Sequence, residues 1–197
     1  DHTMILIYGK WKVGTALKEL CDFKNIPAQI WDDKDWPIDF SAFEAIVPSP
    51  GIPPKHPIYA TGKIIGELDF AYQFLPKDFK IISITGTDGK STTTWIMHEI
   101  LRKEFWDDKV YLSGNFDIPF SATVKTILEK KQKRGYIVTE ISSFMAYNIR
   151  KYQSDYAIFT NFETDHLNWH PDMKDLENLP AWQKFLSLIA YRLRYLL

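Results

Sequence analysis

Lys90 stands between Gly89 and Ser91 in the run Gly86-Thr87-Asp88-Gly89-Lys90-Ser91-Thr92. Two glycines, one ammonium group and several hydroxyls at this spacing suit a chain of phosphates. Glycines let the backbone curl so that successive N–H groups and the N-terminus of the next helix face one anion. Lys90 adds a point charge for the outer phosphates, and the Ser91 hydroxyl is suited to Mg²⁺. Gly86, Thr87, Asp88, Gly89, Lys90, Ser91 and Thr92 are therefore expected to hold the triphosphate of ATP. The general motif G-x-x-x-x-G-K-[ST] is longer between its glycines than this run, so a strict pattern would pass over it. The competing reading is a glycine turn with a solvated lysine. An apolar strand before the run, Ile81 to Thr85, and a helical period after it favour phosphate binding.

Two further groups stand at the ends of β-rich runs. Tyr136 to Thr139 leads to Glu140, and Tyr156 to Thr160 leads through Asn161 to Asp165 and His166. If both runs are strands parallel to Ile81 to Thr85, their C-terminal ends open on the edge that carries the phosphate loop, where ligands bind in α/β sheets. Glu140 and His166 are then expected to share a Mg²⁺ or Mn²⁺ that neutralises charge during phosphoryl transfer. Taken singly, Glu140 reads equally as a helix N-terminal charge and His166 as a hydrogen-bonded loop histidine. His170 is read as structural, because Pro171 breaks any helix that would bring it beside His166.

The elements that must position these groups alternate. Short apolar runs at 4–8, 28–31, 45–47, 81–85, 110–112, 136–139 and 156–160 read as buried strands, with helical periods between them. Val13, Ala16, Leu17, Leu20 and Cys21 fall on one helical face; Ile96, Met97, Ile100 and Leu101 fall on another. The expected fold class is α/β: a Rossmann-like parallel-sheet domain over 1–77, then a P-loop-type ATP-binding domain over 78–197 that lacks its closing strands. The joint is placed at Pro76-Lys77, between an expected helix at 67–75 and a fresh strand. In the first domain, Gly9 to Gly14 forms a strand–turn–helix start, and Asp32 ends the next strand where an acid can reach a ribose or base. Trp11 occupies the place of the second glycine of a dinucleotide fingerprint, which argues against NAD. The loop Pro48-Ser49-Pro50-Gly51-Ile52-Pro53 faces the same edge.

Composition narrows the function classes. With 24 basic against 25 acidic residues the chain has no net field for nucleic acid or an anionic membrane, so any polyanion must be gripped locally. Hydrophobic residues make up 45% of the chain, enough for a real core, and no apolar run is long enough to span a bilayer. The single cysteine, Cys21, excludes an internal disulfide and points to a reducing compartment, with the cytoplasm as the expected location.

Five segments in order, Ser49-Pro50-Gly51-Ile52, Thr85 to Thr92, Gly114-Asn115, Glu140-Ile141-Ser142-Ser143-Phe144 and Thr164-Asp165-His166, make the chain resemble the Mur ligases, and within them the branch that adds D-glutamate to UDP-N-acetylmuramoyl-L-alanine. The resemblance runs from about Met4 to His170. It implies a UDP-sugar site in the first domain, with Asp32 near the uracil or ribose, the Lys12 and Val13 amides near the diphosphate, and Ser49, Gly51, Asn115 and Ser142 among the substrate contacts. It implies a role for ATP in forming an acyl phosphate that D-glutamate attacks. It also assigns Ser91 to one Mg²⁺, Glu140 and His166 to a second, and Lys90 to the moving phosphoryl group.

The chain departs from the family in three places. Met145 replaces a polar residue after Ser-Ser-Phe, and Asp88 stands where asparagine is common. The neighbourhood of the family's carbamylated lysine reads Pro180-Ala181-Trp182-Gln183-Lys184, with Trp182 near the expected lysine. The family's C-terminal domain has no counterpart in these residues, so a fragment with weak or no ligase turnover is expected. The alternative is a non-catalytic nucleotide-binding protein derived from a Mur or folylpolyglutamate-type ligase.

Overall fold

The computed structural model describes residues 4–32, 34, 38–105, 107–115, 117–163 and 179. Two parallel sheets follow one another along the chain. The first has order β2-β1-β3, from β1 (Ile5–Tyr8), β2 (Ala28–Trp31) and β3 (Ala45–Pro48). The second has order β5-β6-β4-β7, from β4 (Asp78–Thr85), β5 (Val110–Gly114), β6 (Arg134–Glu140) and β7 (Tyr156–Phe159). The parallel α/β class expected from the alternating pattern is the class observed.

The strands are apolar on both faces because helices cover both. Successive residues point to opposite sides, so Ile5 and Ile7 enter one core while Leu6 and Tyr8 enter another. In the second sheet Ile81 joins the large core, and Ile82 and Ile84 join a smaller one with Val110 and Val138. The large core runs from the first sheet through α1 (Lys12–Phe23), α2 (Glu67–Tyr72) and α4 (Phe120–Glu129) to the second. The expected buried face of α1 is observed: Ala16, Leu17, Leu20 and Cys21 are buried and Val13 is partly so.

Helix α3 (Lys90–Phe105) differs from expectation. Met97 and Leu101 pack on the small core, but Trp95, Ile96 and Ile100 are 53%, 47% and 55% exposed. Residues 96 and 100 lie about a third of a turn away from 97 and 101, so a helix seated on β4, β5 and β6 turns them outward. Helix α2 also ends earlier than the apolar period suggests, at Tyr72, with turns leading into Pro76.

The contact between the two halves is polar as well as apolar. Asp69 on α2 accepts the backbone amides of Arg150 at 2.7 Å, Lys151 at 3.0 Å and Tyr152 at 2.8 Å. It is buried, so three donors depend on one carboxylate for satisfaction. Asp69→Ala is expected to lower unfolding free energy by about 3 kcal/mol, read by urea denaturation, and Asp69→Asn by clearly less because it keeps an acceptor oxygen. Equal losses in the two variants, or none in either, would contradict this account.

Candidate functional site

The phosphate loop leaves β4 at Thr85 and turns at Gly86, whose φ of +134° is a glycine conformation. A Cβ there would lie 2.1 Å from Thr160 Oγ1 and 2.9 Å from Asn161 O. The loop is thus clasped by the segment that follows β7. Thr160 Oγ1 donates to Asp88 O at 2.6 Å, Asn161 Oδ1 accepts the Asp88 amide at 2.8 Å, and Asn161 O accepts the Thr87 amide at 3.0 Å. Thr87 Oγ1 accepts the Glu163 amide at 2.9 Å.

This clasp divides the seven residues by task. The Thr87 and Asp88 amides are committed to Asn161, so they hold the loop's shape and do not face an anion. The amides of Gly89, Lys90, Ser91 and Thr92 make no hydrogen bond among the described residues; the last three open the 16-residue α3 and Gly89 directly precedes it. The Lys90 ammonium donates to Thr87 O, lying back over its own loop. Ser91 and Thr92 are exposed, and the Asp88 side chain is exposed as well.

Glu140 ends β6 beside this loop. The parallel register pairs Ile84 with Glu140 and Glu140 with Gly114, and the Ile141 amide donates to Ile84 O at 2.9 Å. Glu140 is 1% exposed; its Oε1 accepts from Asn115 Nδ2 at 2.7 Å, and its buried Oε2 has no partner among the described residues. An orphaned, buried carboxylate oxygen at the C-terminal edge of a sheet is a fitting ligand for a hard divalent cation. The Glu140 carboxylate therefore fits such an ion, and the exposed Ser91 hydroxyl at the start of α3 is the candidate holder of the other ion that the resemblance implies. No cluster of three or more His, Cys, Asp or Glu side chains able to hold a metal occurs among the described residues. His166 lies outside them, as do Asp165 and Lys184.

Some residues of the first half, Lys12, Val13, Pro50 and Glu67, line a second feature. A cleft of about 130 Å³ lies between the two sheets' helices, lined by Lys12, Val13, Pro50, Glu67, Asn115 and Asp117, among others. Lys12 begins α1, whose N-cap, Trp11, supplies no side-chain hydrogen bond, so the helix end presents its amides to the cleft. Lys12 Nζ pairs with Asp117 Oδ1 at 2.7 Å across exposed surface. Ser49, just after β3, has a buried Oγ that lacks a partner among the described residues. That oxygen sits where a Cβ on Gly9 would come within 2.4 Å of it, so the strand end tolerates only glycine there.

Four expected substrate residues, Asp32, Ser49, Gly51 and Ser142, do not themselves line this cleft. Asp32 follows β2, accepts the Lys34 amide at 3.4 Å and does not line the cleft. Gly51 is exposed with open space around it. Ser142 is the N-cap of α5 (Ser143–Tyr147), its Oγ accepting the Met145 amide at 3.3 Å. Met145 lines the cleft with Asn115, so the departure from a polar residue gives that wall an apolar side chain.

Three cleft residues, Glu67, Asp117 and Pro119, carry no signal in the sequence that marks them as site residues. Glu67 is an acid at a helix start, which propensity alone explains. Asp117 adopts φ +62°, a turn conformation that a short stretch of residues does not reveal. Burial pushes the Glu67 carboxyl above the usual carboxylate range, against the opposing effect of its hydrogen bond to Ser121.

Comparison with known proteins adds the lineage. The Mur ligase middle domain model matches residues 84–180. UDP-N-acetylmuramoylalanine–D-glutamate ligase of Aquifex aeolicus is 35% identical over 179 residues, covering 86% of this chain and 41% of that protein. The enzyme of the same name from a Hydrogenobaculum species is 36% identical over 180 residues, covering 86% and 40%. The chain thus spans about two fifths of the length of these relatives. In fold, it is similar to the crystal structure of UDP-N-acetylmuramate:L-alanyl-gamma-D-glutamyl-meso-diaminopimelate ligase from Neisseria meningitides, with a TM-score of 0.57 at 12% identity over 95% of this chain and 68% of that one. A family match that opens just before the phosphate loop and runs past Glu140, joined to relatives this similar across most of the sequence, shows that the chain belongs to the Mur ligase family.

Proposed function

We propose that the chain is the nucleotide- and UDP-sugar-binding part of an ATP-dependent ligase that joins D-glutamate to UDP-N-acetylmuramoyl-L-alanine in peptidoglycan precursor synthesis. One observation carries the reading: Asn115 lines the cleft beside Lys12 and Val13 while its side chain holds Glu140 at the edge that bears the phosphate loop. A substrate lying in that cleft has its far end delivered to the nucleotide. Residues 1–77 then serve as the UDP-sugar-binding domain and 78–197 as part of the ATP-binding domain.

Each residue's task follows from its chemistry. The Lys12 and Val13 amides at the α1 N-terminus hold the diphosphate, with the Lys12 ammonium beside them. Ser49, Gly51 and Asp32 shape the UDP end, and Ser142 keeps the wall of the cleft in place. The free amides of Gly89 to Thr92 grip the β- and γ-phosphates, and Lys90 leaves Thr87 O to follow the phosphoryl group as it moves. The substrate carboxylate attacks the γ-phosphorus, ADP leaves, and the amine of D-glutamate displaces phosphate from the acyl phosphate to form the amide. Ser91, Glu140 and His166 are the residues to hold Mg²⁺ or Mn²⁺, which supplies charge neutralisation on the phosphate oxygens. The need for ATP and the single cysteine support the cytoplasm as the location. Among the described residues no helix is long and apolar enough to cross a membrane.

Calorimetric titration with Mg·ATP is expected to show at least a tenfold weaker complex for Lys90→Ala, the loss of one charge-assisted contact to phosphate. Unchanged affinity would remove the assignment of the loop. For the cleft, Asn115→Ala should weaken UDP-N-acetylmuramoyl-L-alanine by about tenfold and leave UDP binding as it was. An equal effect on both ligands would show that Asn115 does not read the muramoyl end.

A further inference from the structure

Glu67 is the first residue of α2 and belongs to the first half of the chain, yet its carboxyl serves the second. Its Oε1 accepts the Ser121 amide at 2.7 Å, and the side chain is buried, with the residue only 5% exposed. Ser121 lies in the first turn of α4, whose own N-cap is Pro119 and supplies no side-chain hydrogen bond. A carboxylate from a distant part of the chain therefore satisfies a helix end that its local sequence leaves open.

The loop anchored by this helix end carries Asn115. At its other end the Gly114 amide donates to Ile118 O at 2.8 Å, and the Asn115 amide donates to Glu140 O at 3.0 Å. Asn115 Nδ2 then reaches Glu140 Oε1 at 2.7 Å. Glu67 and Asn115 also line the same cleft. The path from Glu67 to Glu140 thus consists of one short loop with a hydrogen bond at each end.

We propose that Glu67 is a positioning residue: it fixes the loop of Asn115, and through Asn115 the Glu140 carboxylate, so that filling the cleft strengthens metal–nucleotide binding at the neighbouring sheet edge. The coupling rests on the reading of the cleft and the phosphate loop given above; the positioning rests on the geometry alone. A carboxamide at 67 keeps an oxygen for the Ser121 amide, whereas a methyl group does not.

Amide hydrogen exchange by NMR on the 197-residue chain separates this role from plain stabilisation. In Glu67→Ala the Gly114 and Asn115 amides and the Asn115 side-chain amide should exchange at least tenfold faster, while Leu17 and Leu20 of α1 keep their protection. Glu67→Gln should retain the parent pattern. With UDP-N-acetylmuramoyl-L-alanine present, the parent should bind Mn²⁺·ATP more tightly than without it, and Glu67→Ala should show no such difference. Unchanged exchange at 114–115, or uniform acceleration that includes α1, overturns the positioning role. Should the parent bind no Mn²⁺·ATP, the reading of the nucleotide site fails, and the exchange pattern still decides whether Glu67 positions Asn115.

Discussion

The hydrogen bond from Asn115 to Glu140 joins two requirements that the rest of the molecule serves. One end belongs to the wall of a cleft between the two sheets, and the other to a carboxylate buried beside the phosphate loop. Because Glu140 is almost wholly buried, one of its oxygens must be satisfied by a protein donor if the other is to remain for a cation. Asn115 is that donor. Parallel pairing of β5, β6 and β4 brings it there without long loops, since register alone sets Gly114, Glu140 and Ile84 side by side.

The phosphate loop shows the same economy of means. Its first amides are spent on Asn161, so the loop's curvature is held by protein contacts, and the later amides remain at the helix start. Preorganisation of this kind reduces what must be ordered when an anion arrives. Helix α2 does the corresponding work between the halves. Its two carboxylates, Glu67 and Asp69, both accept backbone amides from the second half, which ties the cleft to the sheet that bears Glu140.

Much of this architecture was legible in the sequence. Apolar runs separated by helical periods are enough to specify parallel sheets, and the glycine–lysine–hydroxyl run marks the turn from strand to helix. The resemblance points to Lys12, Val13 and Asn115, and all three line the cleft. Other features depend on the folded geometry. Ser142 reads as a polar contact residue, but its hydroxyl caps a helix, because hydroxyl and backbone amide meet only once the turn has formed. Ile96 and Ile100 share apolar character with Met97 and Leu101, yet only the latter pair faces the described sheet. Glu67 resembles any acid at a helix start; that it caps a different helix is a fact of tertiary contact.

The central claim is that one metal–nucleotide centre forms where the α3 N-terminus meets Glu140. Paramagnetic broadening by Mn²⁺·ATP tests it directly, since the effect falls steeply with distance from the ion. The amides of Gly89 to Thr92 and the side-chain amide of Asn115 should broaden together at low ratios of Mn²⁺·ATP to protein, while Leu17 and Leu20 stay sharp. Broadening of the loop without Asn115, or of neither, would contradict the account.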